Sequence, residues 1–412
     1  MSAVNERPAQ RWRLLVVVGL GILLAMAPWL SSAAVAGALR AEWGLSTVQL
    51  PMLTVAVQLG FATGAIALAS LGVPDVVPTR TLFLLGALVA AAANIGFALA
   101  ATDLGSALPL RFATGLGLAA VYPVALRLVV GWFRAQRGLA VGVLIGGITV
   151  GSALPYLVAA LGGISGVDWR LVVAAGSVAA VAGGALVFTL TREGPFDQPA
   201  PRFSLSVALR ALRQPAVRLA SLGYFGHMWE LYAMWSWIPV FLAASFVASG
   251  GDGMTAPALV AFVVVAAGGV GCVAAGLLAD RIGRTATTIG AMVVSGGSAL
   301  VVGVLFGAPF ELLALVTVVW GISIVADSAQ FSAAVSELAP PGTAGSALAL
   351  QLAGGFILTA LSIMLIGLLN PTDADGWRIA FWSLAIGPVI GSLAMWRLRH
   401  RPEAVLLAGG RR

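Results

Sequence analysis

Long apolar runs, separated by short polar breaks, dominate this chain. Runs of about 20 residues or more, the length that crosses a bilayer, recur twelve times between clusters of arginine, proline, aspartate or glycine. Because lipid cannot satisfy free backbone groups and no barrel-like alternation occurs, each run is predicted to be a membrane-spanning helix. The predicted spans are 14–38, 48–71, 81–101, 106–131, 138–162, 169–191, 217–246, 255–279, 286–306, 309–335, 343–368 and 376–396.

The first run resembles a secretory signal, since it begins with basic residues and ends in small ones. Its apolar stretch, Leu14–Leu39, is too long for the hydrophobic region of a signal and long enough to span a membrane. We therefore count it as the first helix.

Composition also points to a lipid environment. Of the 412 residues, 60% are hydrophobic and only 9% are charged, roughly a third of the charged share of a soluble domain. No water-soluble fold could bury so much apolar surface, so soluble classes of protein are excluded. The single cysteine, Cys272, leaves no internal disulfide, and the sequence predicts no metal site and no cofactor.

The basic residues predict the orientation in the membrane. All 23 are arginine, and with both termini in the cytoplasm most of them fall on the cytoplasmic side, as the positive-inside rule requires. Arg40, Arg170 and Arg378 fall outside, and Arg111 and Arg127 lie within a span. This bias explains the basic charge balance without nucleic acid as a partner. Alanine- and glycine-rich usage favours a bacterial cytoplasmic (inner) membrane, where we expect a monomer in the lipid bilayer.

The chain divides into two halves that look like copies. "PDVVPTR" after the second helix corresponds to "ADRIGRT" after the eighth, and "DWRLV" opening helix six corresponds to "GWRIA" opening helix twelve. Both offsets are close to half the chain length, which indicates internal duplication. The predicted organisation is an N-terminal six-helix bundle (1–192), a central cytoplasmic loop (193–214), a C-terminal six-helix bundle (215–400) and a cytoplasmic tail (401–412). Within the loop, "FSLSVALRALR" could form a short amphipathic helix.

The loop after the eighth helix resembles a motif of the major facilitator superfamily of secondary transporters. "GLLADRIGR", Gly276–Arg284, is similar to that family's G-x-L-a-D-r-x-G-r motif. The first-half copy, "LGVPDVVPTR", lacks the second glycine and the central arginine. The resemblance implies a gating or structural role for residues of both copies: Gly276, Asp280, Arg281, Gly283, Arg284, Asp75 and Arg80. It also implies two pseudo-symmetric six-helix bundles, an all-α polytopic fold.

Helix four carries a second resemblance. "RFATGLG", starting at Arg111, is similar to the family's R-x-x-x-G-x-G motif, whose arginine is linked to proton transfer in proton-coupled members. Two other family patterns are missing. Helix five has no Gly-Pro pair of the kind found in drug antiporters, and helices two and eight lack the arginines of the nitrate and nitrite porters.

Ionisable groups inside spans are costly and therefore candidates for function. Glu230 lies near the middle of helix seven, with His227 three positions earlier on the same side. Because burial favours the neutral carboxyl, Glu230 could exchange protons, and we expect it to face a water-accessible cavity between the halves. A structural pair with an arginine is the alternative. His227 could be a proton relay or a packing residue.

Helix ten contributes a further polar stripe. Asp327 shares a face with Ser323, Gln330 and Phe331 if the helix is continuous. Helix packing could explain the serine but not the aspartate, so Asp327 and Gln330 are candidates for substrate binding or proton coupling.

The two arginines of helix four could bind an anion or support the structure. Arg111 and Arg127 are 16 positions apart, roughly 160° around an ideal helix, so both reach one cavity only if Pro123 redirects the helix. Arg127 lies near the cytoplasmic end, where its side chain could snorkel to the membrane surface or line the base of the central cavity.

Together these features predict a secondary transporter that works by rocking of the two halves. Proton coupling and a small anion or organic acid as substrate are expected. Proton-driven export of a drug or metabolite is the alternative, followed by a non-transporting sensor on the same scaffold. An enzyme is disfavoured, because the sequence has no paired histidines, nucleophile elbow or phosphate loop.

Overall fold

The computed structural model describes residues 8–133, 136–165, 168–197 and 202–411, and within these ranges the regular structure is entirely helical. Its helices are α1 (Pro8–Ala25), α2 (Ser31–Ala34), α3 (Ala36–Trp43), α4 (Met52–Leu71), α5 (Val73–Val76), α6 (Thr79–Ala100), α7 (Leu104–Ala119), α8 (Tyr122–Val130), α9 (Arg137–Ser165), α10 (Trp169–Leu190), α11 (Leu205–Arg213), α12 (Pro215–Ala248), α13 (Thr255–Ile282), α14 (Arg284–Val304), α15 (Phe310–Ile324), α16 (Ser328–Leu338), α17 (Ala344–Leu369) and α18 (Ala374–Arg399). A 3₁₀ segment, Pro402–Gly410, follows α18.

The prediction of an all-α membrane fold with about twelve spans is confirmed. Eleven stretches in the described part of the chain are long and apolar enough to cross a membrane, and they match the second to twelfth predicted spans. The first predicted span, 14–38, is divided among α1, α2 and α3. The predicted amphipathic helix of the central loop is α11. Arg7, Arg134 and Arg412, which contribute to the arginine bias, lie outside the described residues.

Three of the spans are broken near their middle. The first breaks at residues 26–30, where Pro28 cannot donate a backbone hydrogen bond. The fourth breaks at residues 120–121 and the tenth at residues 325–327, at equivalent places in the two halves. Irregular backbone at membrane depth occurs where it is buried in protein or lines a cavity. These breaks therefore indicate that a functional site lies in the interior.

Tight packing of small residues repeats in both halves. A Cβ atom at Gly115 of α7 would overlap the carbonyl oxygen of Val57 of α4, and one at Gly321 of α15 would overlap that of Val264 of α13. Only glycine permits these backbones to approach so closely. The same glycine contact occurs at equivalent positions of the two halves, as expected if the halves arose by internal duplication.

We call α1–α10 the N-terminal half and α12–α18 the C-terminal half. The halves meet along α9 and α13, where a Cβ at Gly142 would lie 3.0 Å from the carbonyl oxygen of Cys272. They meet again along α4 and α17. The first and last described parts of the chain lie at the same end of the bundle, which we call the termini side. Arg11 donates to Gln136 at the start of α9, and Arg411 donates to the backbone of Asp280.

Candidate functional site

Aromatic rings from both halves meet at the centre of the bundle. Trp29, at the break of the first span, lies 5.0 Å from Phe61 of α4, 5.5 Å from Tyr232 of α12 and 5.6 Å from Phe356 of α17, measured between ring centroids. Phe61 and Phe356 are 4.5 Å apart across the interface. We call these four residues the central aromatic cluster. Offset rings at these distances attract one another and offer flat faces to a ring-shaped ligand.

The halves also contact each other on both sides of this cluster. On the side opposite the termini, the hydroxyl of Tyr156 of α9 donates to the carbonyl of Trp235 at 2.8 Å. On the termini side, the carboxylate oxygens of Asp280 lie 3.3 Å from the position that a Cβ would take at Gly138. The central aromatic cluster therefore lies between two closed contacts.

Several buried polar groups near the cluster lack a hydrogen-bond partner among the described residues. They are both amide atoms of Gln58, the indole nitrogen of Trp29 and the amide nitrogen of Gln351. Gln58 is fully buried and lies one turn before Phe61, on the face of α4 that points to the C-terminal half. A buried polar group without a partner costs about 1–3 kcal/mol. A bound molecule or water that hydrogen-bonds to these groups would remove that cost.

Two further tyrosines extend this region toward the termini side, so that three tyrosines, with Tyr232 of the cluster, lie near one another. Tyr122, which restarts the broken fourth span, stacks on Phe61 with 6.3 Å between ring centroids, and the hydroxyls of Tyr224 and Tyr232 of α12 lie in its neighbourhood. Within the described part of the chain none of these hydroxyls is hydrogen-bonded. They add neutral donors and acceptors from both halves to the same region.

His227 and Asp327 lie in contact with each other in the interior. The Nδ1 atom of His227 is 2.8 Å from Oδ1 of Asp327, and the side chains are 1% and 2% exposed. Asp327 lies at the break of the tenth span, immediately before α16. The Nε2 atom of His227 is buried and has no partner among the described residues. The imidazole therefore has one nitrogen on the carboxylate and one available for a proton, water or ligand.

Glu230 lies in a separate network inside the C-terminal half. Its Oε1 accepts a hydrogen bond from the indole of Trp320 at 2.7 Å, and its Oε2 accepts one from the hydroxyl of Ser295 at 2.9 Å. The side chain is 1% exposed. The structure differs here from the expected position facing a water-accessible cavity between the halves. It differs as well from the alternative, a pair with an arginine.

Arg111 is the counterpart of Glu230 in the N-terminal half. The fully buried guanidinium donates to the carbonyls of Pro28 and Trp29, the hydroxyl of Ser31 and the side-chain oxygen of Asn94, at 2.8–3.2 Å. No carboxylate pairs with it among the described residues. Arg111 therefore holds the broken backbone of the first span.

The two networks occupy equivalent helices. Each network joins the first, third and fourth membrane spans of its half. Around Arg111 these are the break after α1, helix α6 and helix α7, and around Glu230 they are α12, α14 and α15. One has a cation with neutral acceptors and the other a carboxyl with neutral donors. This placement argues that both networks hold their halves together.

Arg127 lies away from the centre, on the termini side. Its guanidinium pairs with Asp75 at 2.8 Å and with Asp197 at 2.8 Å, and it also donates to the carbonyl of Pro74. The hypothesis that Arg127 lines the base of the central cavity is therefore not supported by its position. Asp75 is engaged by an arginine of its own half, whereas Arg80 donates to the carbonyl of Thr191 at 3.4 Å and lies over the ring of Phe188.

The second-half motif connects three helices on the termini side. Arg284 makes a two-point contact with Glu337 at 2.6 and 2.8 Å and donates to Gln330 at 2.8 Å. Gln330 is thus held by the motif, whereas Asp327, one turn earlier and joined to Gln330 by a backbone hydrogen bond, contacts His227. Gly283 has a φ of +92°, which favours glycine between α13 and α14. Arg281 is exposed, and Gly276 packs against the backbone of Gly138.

The candidates chosen from the sequence are mainly ionisable residues, and they do not include Gln58, Asn94 or Trp29. Gln58 and Asn94 are visible as isolated amides inside apolar runs, and that is the signal by which they could have been found. Trp29 had no such signal, because tryptophan inside a span is more often a packing residue.

Comparisons with known proteins give a consistent result. A family model described as Major Facilitator Superfamily matches residues 17–326. The MFS transporter asaE of Aspergillus flavus is 30% identical over 185 residues, which cover 44% of this chain and 40% of that relative.

Solved structures agree in fold over nearly the whole chain. A D-xylose–proton symporter has a TM-score of 0.75 at 17% identity, covering 95% of this chain and 98% of that one. A bacterial homologue of the human lysosomal transporter Spinster has a TM-score of 0.71 at 17% identity, covering 97% and 100%. The nucleoside transporter NupG has a TM-score of 0.69 at 14% identity, covering 94% and 99%.

Proposed function

Because this chain belongs to the major facilitator superfamily, we propose that it is a secondary active transporter that moves a small solute by alternating access between its two halves. The observation that carries the proposal is the set of unpartnered buried polar groups around the central aromatic cluster, where the two halves meet. Three broken spans converge on this region, as expected of a transporter site at the repeat interface.

Proton coupling is assigned to the His227–Asp327 pair. The supporting geometry is a buried imidazole nitrogen that lies 2.8 Å from a buried carboxylate oxygen, at the break of the tenth span. His227 lies within ring contact of Tyr224, at 6.2 Å, so the pair adjoins the polar part of the central region. A proton that neutralises Asp327 weakens its contact with His227. The break of the tenth span is then freed from α12.

The substrate is proposed to be uncharged, with a ring or apolar body and a few hydrogen-bonding groups. The anion hypothesis relied on Arg111 and Arg127, and these side chains are occupied by backbone carbonyls and by acidic residues respectively. Flat aromatic faces, three tyrosine hydroxyls and the amide of Gln58 remain to recognise a ligand. The second candidate function is proton-driven export of a hydrophobic metabolite or drug, because the central aromatic cluster also suits an apolar ligand.

A transport panel tests this proposal. Purified protein in liposomes is offered uncharged aromatic and polar metabolites, small carboxylates, inorganic anions and lipophilic cations, with and without a pH gradient. We expect gradient-dependent movement of an uncharged or hydrophobic compound. Gradient-dependent movement confined to carboxylates or inorganic anions would contradict the proposed substrate class.

The remaining assignments follow from the arginine distribution and the family. We propose that the protein lies in the cytoplasmic (inner) membrane as a monomer with both termini in the cytoplasm, so that the termini side is the cytoplasmic side. Protons, a small solute and lipid are its proposed partners, and no nucleic acid is involved.

Asp280 is proposed to hold the termini side closed. Its carboxylate faces Gly138, the second residue of α9, where the positive end of the helix dipole favours a negative charge by about 1 kcal/mol. We expect Asp280→Asn to shift the equilibrium toward opening on this side roughly fivefold.

The native thiol of Cys272 reports this opening. It is buried, and it contacts Thr149 of α9 across the interface between the halves. The rate of maleimide labelling of Cys272 from the termini side should rise in Asp280→Asn. It should stay unchanged in Asp252→Asn, which removes the same charge from an exposed loop at the opposite side. Equal labelling of all three proteins would count against a gating role.

A further inference from the structure

A basic cavity lies outside the central region, on the termini side of the C-terminal half. It has a volume of about 410 Å³ between the start of α12 and the end of α18. Its lining consists of Pro215, Arg218, Leu219, Trp396, Arg397, His400 and Arg401. Three guanidinium groups around one small cavity repel one another unless an anion is present.

Two of the three arginines have no partner in the described part of the chain. The side chains of Arg218 and Arg397 are exposed and make no ion pair or hydrogen bond there. Arg401 is paired with Glu403 at 3.1 Å, and its guanidinium lowers the pKa of that carboxyl. Glu403 therefore stays ionised and balances Arg401. The charges of Arg218 and Arg397 remain unbalanced.

An apolar surface leads directly into the cavity. Ile386, Val389, Leu393 and Trp396 follow one face of α18 by helical spacing, and each is 54–58% exposed. On a membrane-spanning helix this face is covered by acyl chains. Trp396 ends the stripe at the rim of the cavity, 4.8 Å from the ring of His400, where an indole suits the membrane interface.

We propose that this cavity binds the phosphate of an anionic phospholipid from the leaflet on the termini side. Arg218 and Arg397 hold the phosphate from α12 and α18, and the acyl chains lie along the exposed stripe of α18. Paired guanidinium groups suit phosphate oxygens, and basic pockets between helices at this depth bind such headgroups. A free phosphate would use the same two arginines but would not need the apolar stripe. That stripe is the reason for choosing the lipid.

Native mass spectrometry of the full chain in detergent tests the site, because it counts lipids on folded protein only. The probe is phosphatidylglycerol, compared with phosphatidylcholine and with inorganic phosphate. The variant is Arg218→Gln with Arg397→Gln. The matched control is Arg210→Gln with Arg213→Gln, which removes the same charge from exposed positions of α11 on the same side.

We expect wild type and the control to retain phosphatidylglycerol in preference to phosphatidylcholine. The Arg218/Arg397 variant should bind it about tenfold more weakly, or worse. Equal retention by the two variants would overturn the site. Inorganic phosphate that binds as tightly as phosphatidylglycerol would overturn the assignment to lipid.

Discussion

Replacing Asp327 with asparagine is expected to abolish proton-driven accumulation of substrate while exchange of substrate across the membrane continues. Asparagine nearly preserves the size of the side chain and its contact with His227, but it cannot bind a proton in the transport cycle. Coupling fails because the step that needs the neutral carboxyl no longer depends on pH. We expect accumulation to fall to the level set by the substrate gradient alone, measured in liposomes with an imposed pH gradient.

Glu230→Gln is the matched control for this experiment. The amide can keep one of the hydrogen bonds from Trp320 and Ser295 at Glu230, which we interpret as structural. We expect this variant to retain driven accumulation, with some loss of stability. Loss of coupling in Glu230→Gln and its survival in Asp327→Asn would reverse the assignment and restore Glu230 as the coupling group.

Replacing Arg111 with methionine is expected to destabilise the protein by about 3 kcal/mol or more and to stop transport at every pH. The guanidinium donates hydrogen bonds to the break of the first span, to α2 and to α6. Its removal leaves the carbonyls of Pro28 and Trp29 without these donors. Each buried acceptor left unsatisfied costs about 1–3 kcal/mol. Thermal unfolding in detergent measures the loss.

Two variants separate this effect from charge alone. Arg111→Lys keeps the charge but reaches fewer of the acceptors, so an intermediate stability is expected. Arg80→Gln removes an arginine whose one described hydrogen bond is long, 3.4 Å, and it should change stability little. An Arg111→Met protein that unfolds at the wild-type temperature would refute the role given to this side chain.

The length of the apolar runs predicted the spans well, because a helix must be long and apolar enough to cross the bilayer. The helix bounds agree within a few residues for most spans. The interruptions at 26–30, 120–121 and 325–327 were not predicted, since an apolar run continues through each of them. One consequence is that the predicted stripe of helix ten is interrupted between Ser323 and Asp327. Asp327 and Gln330 remain within one turn, but their side chains have different partners, His227 and Arg284.

The partners of the interior charges could not be predicted from spacing along one helix. His227 and Glu230 share a side of α12, yet His227 pairs with the break of the tenth span while Glu230 bonds to α14 and α15. The estimate that Arg111 and Arg127 face different ways is consistent with their separate surroundings. The packing of helices across the bundle decides which helix lies opposite each face. The spacing of polar residues along one helix does not determine that packing.

Proton movement driven by substrate is the most direct measurement of the central claim. Liposomes with protein, a trapped pH indicator and no initial pH gradient receive a compound that the protein transports. We expect a change of internal pH in wild type and in Glu230→Gln, and no change in Asp327→Asn. Transport of the compound by wild type without any proton movement, under the same conditions, would contradict coupling through the His227–Asp327 pair.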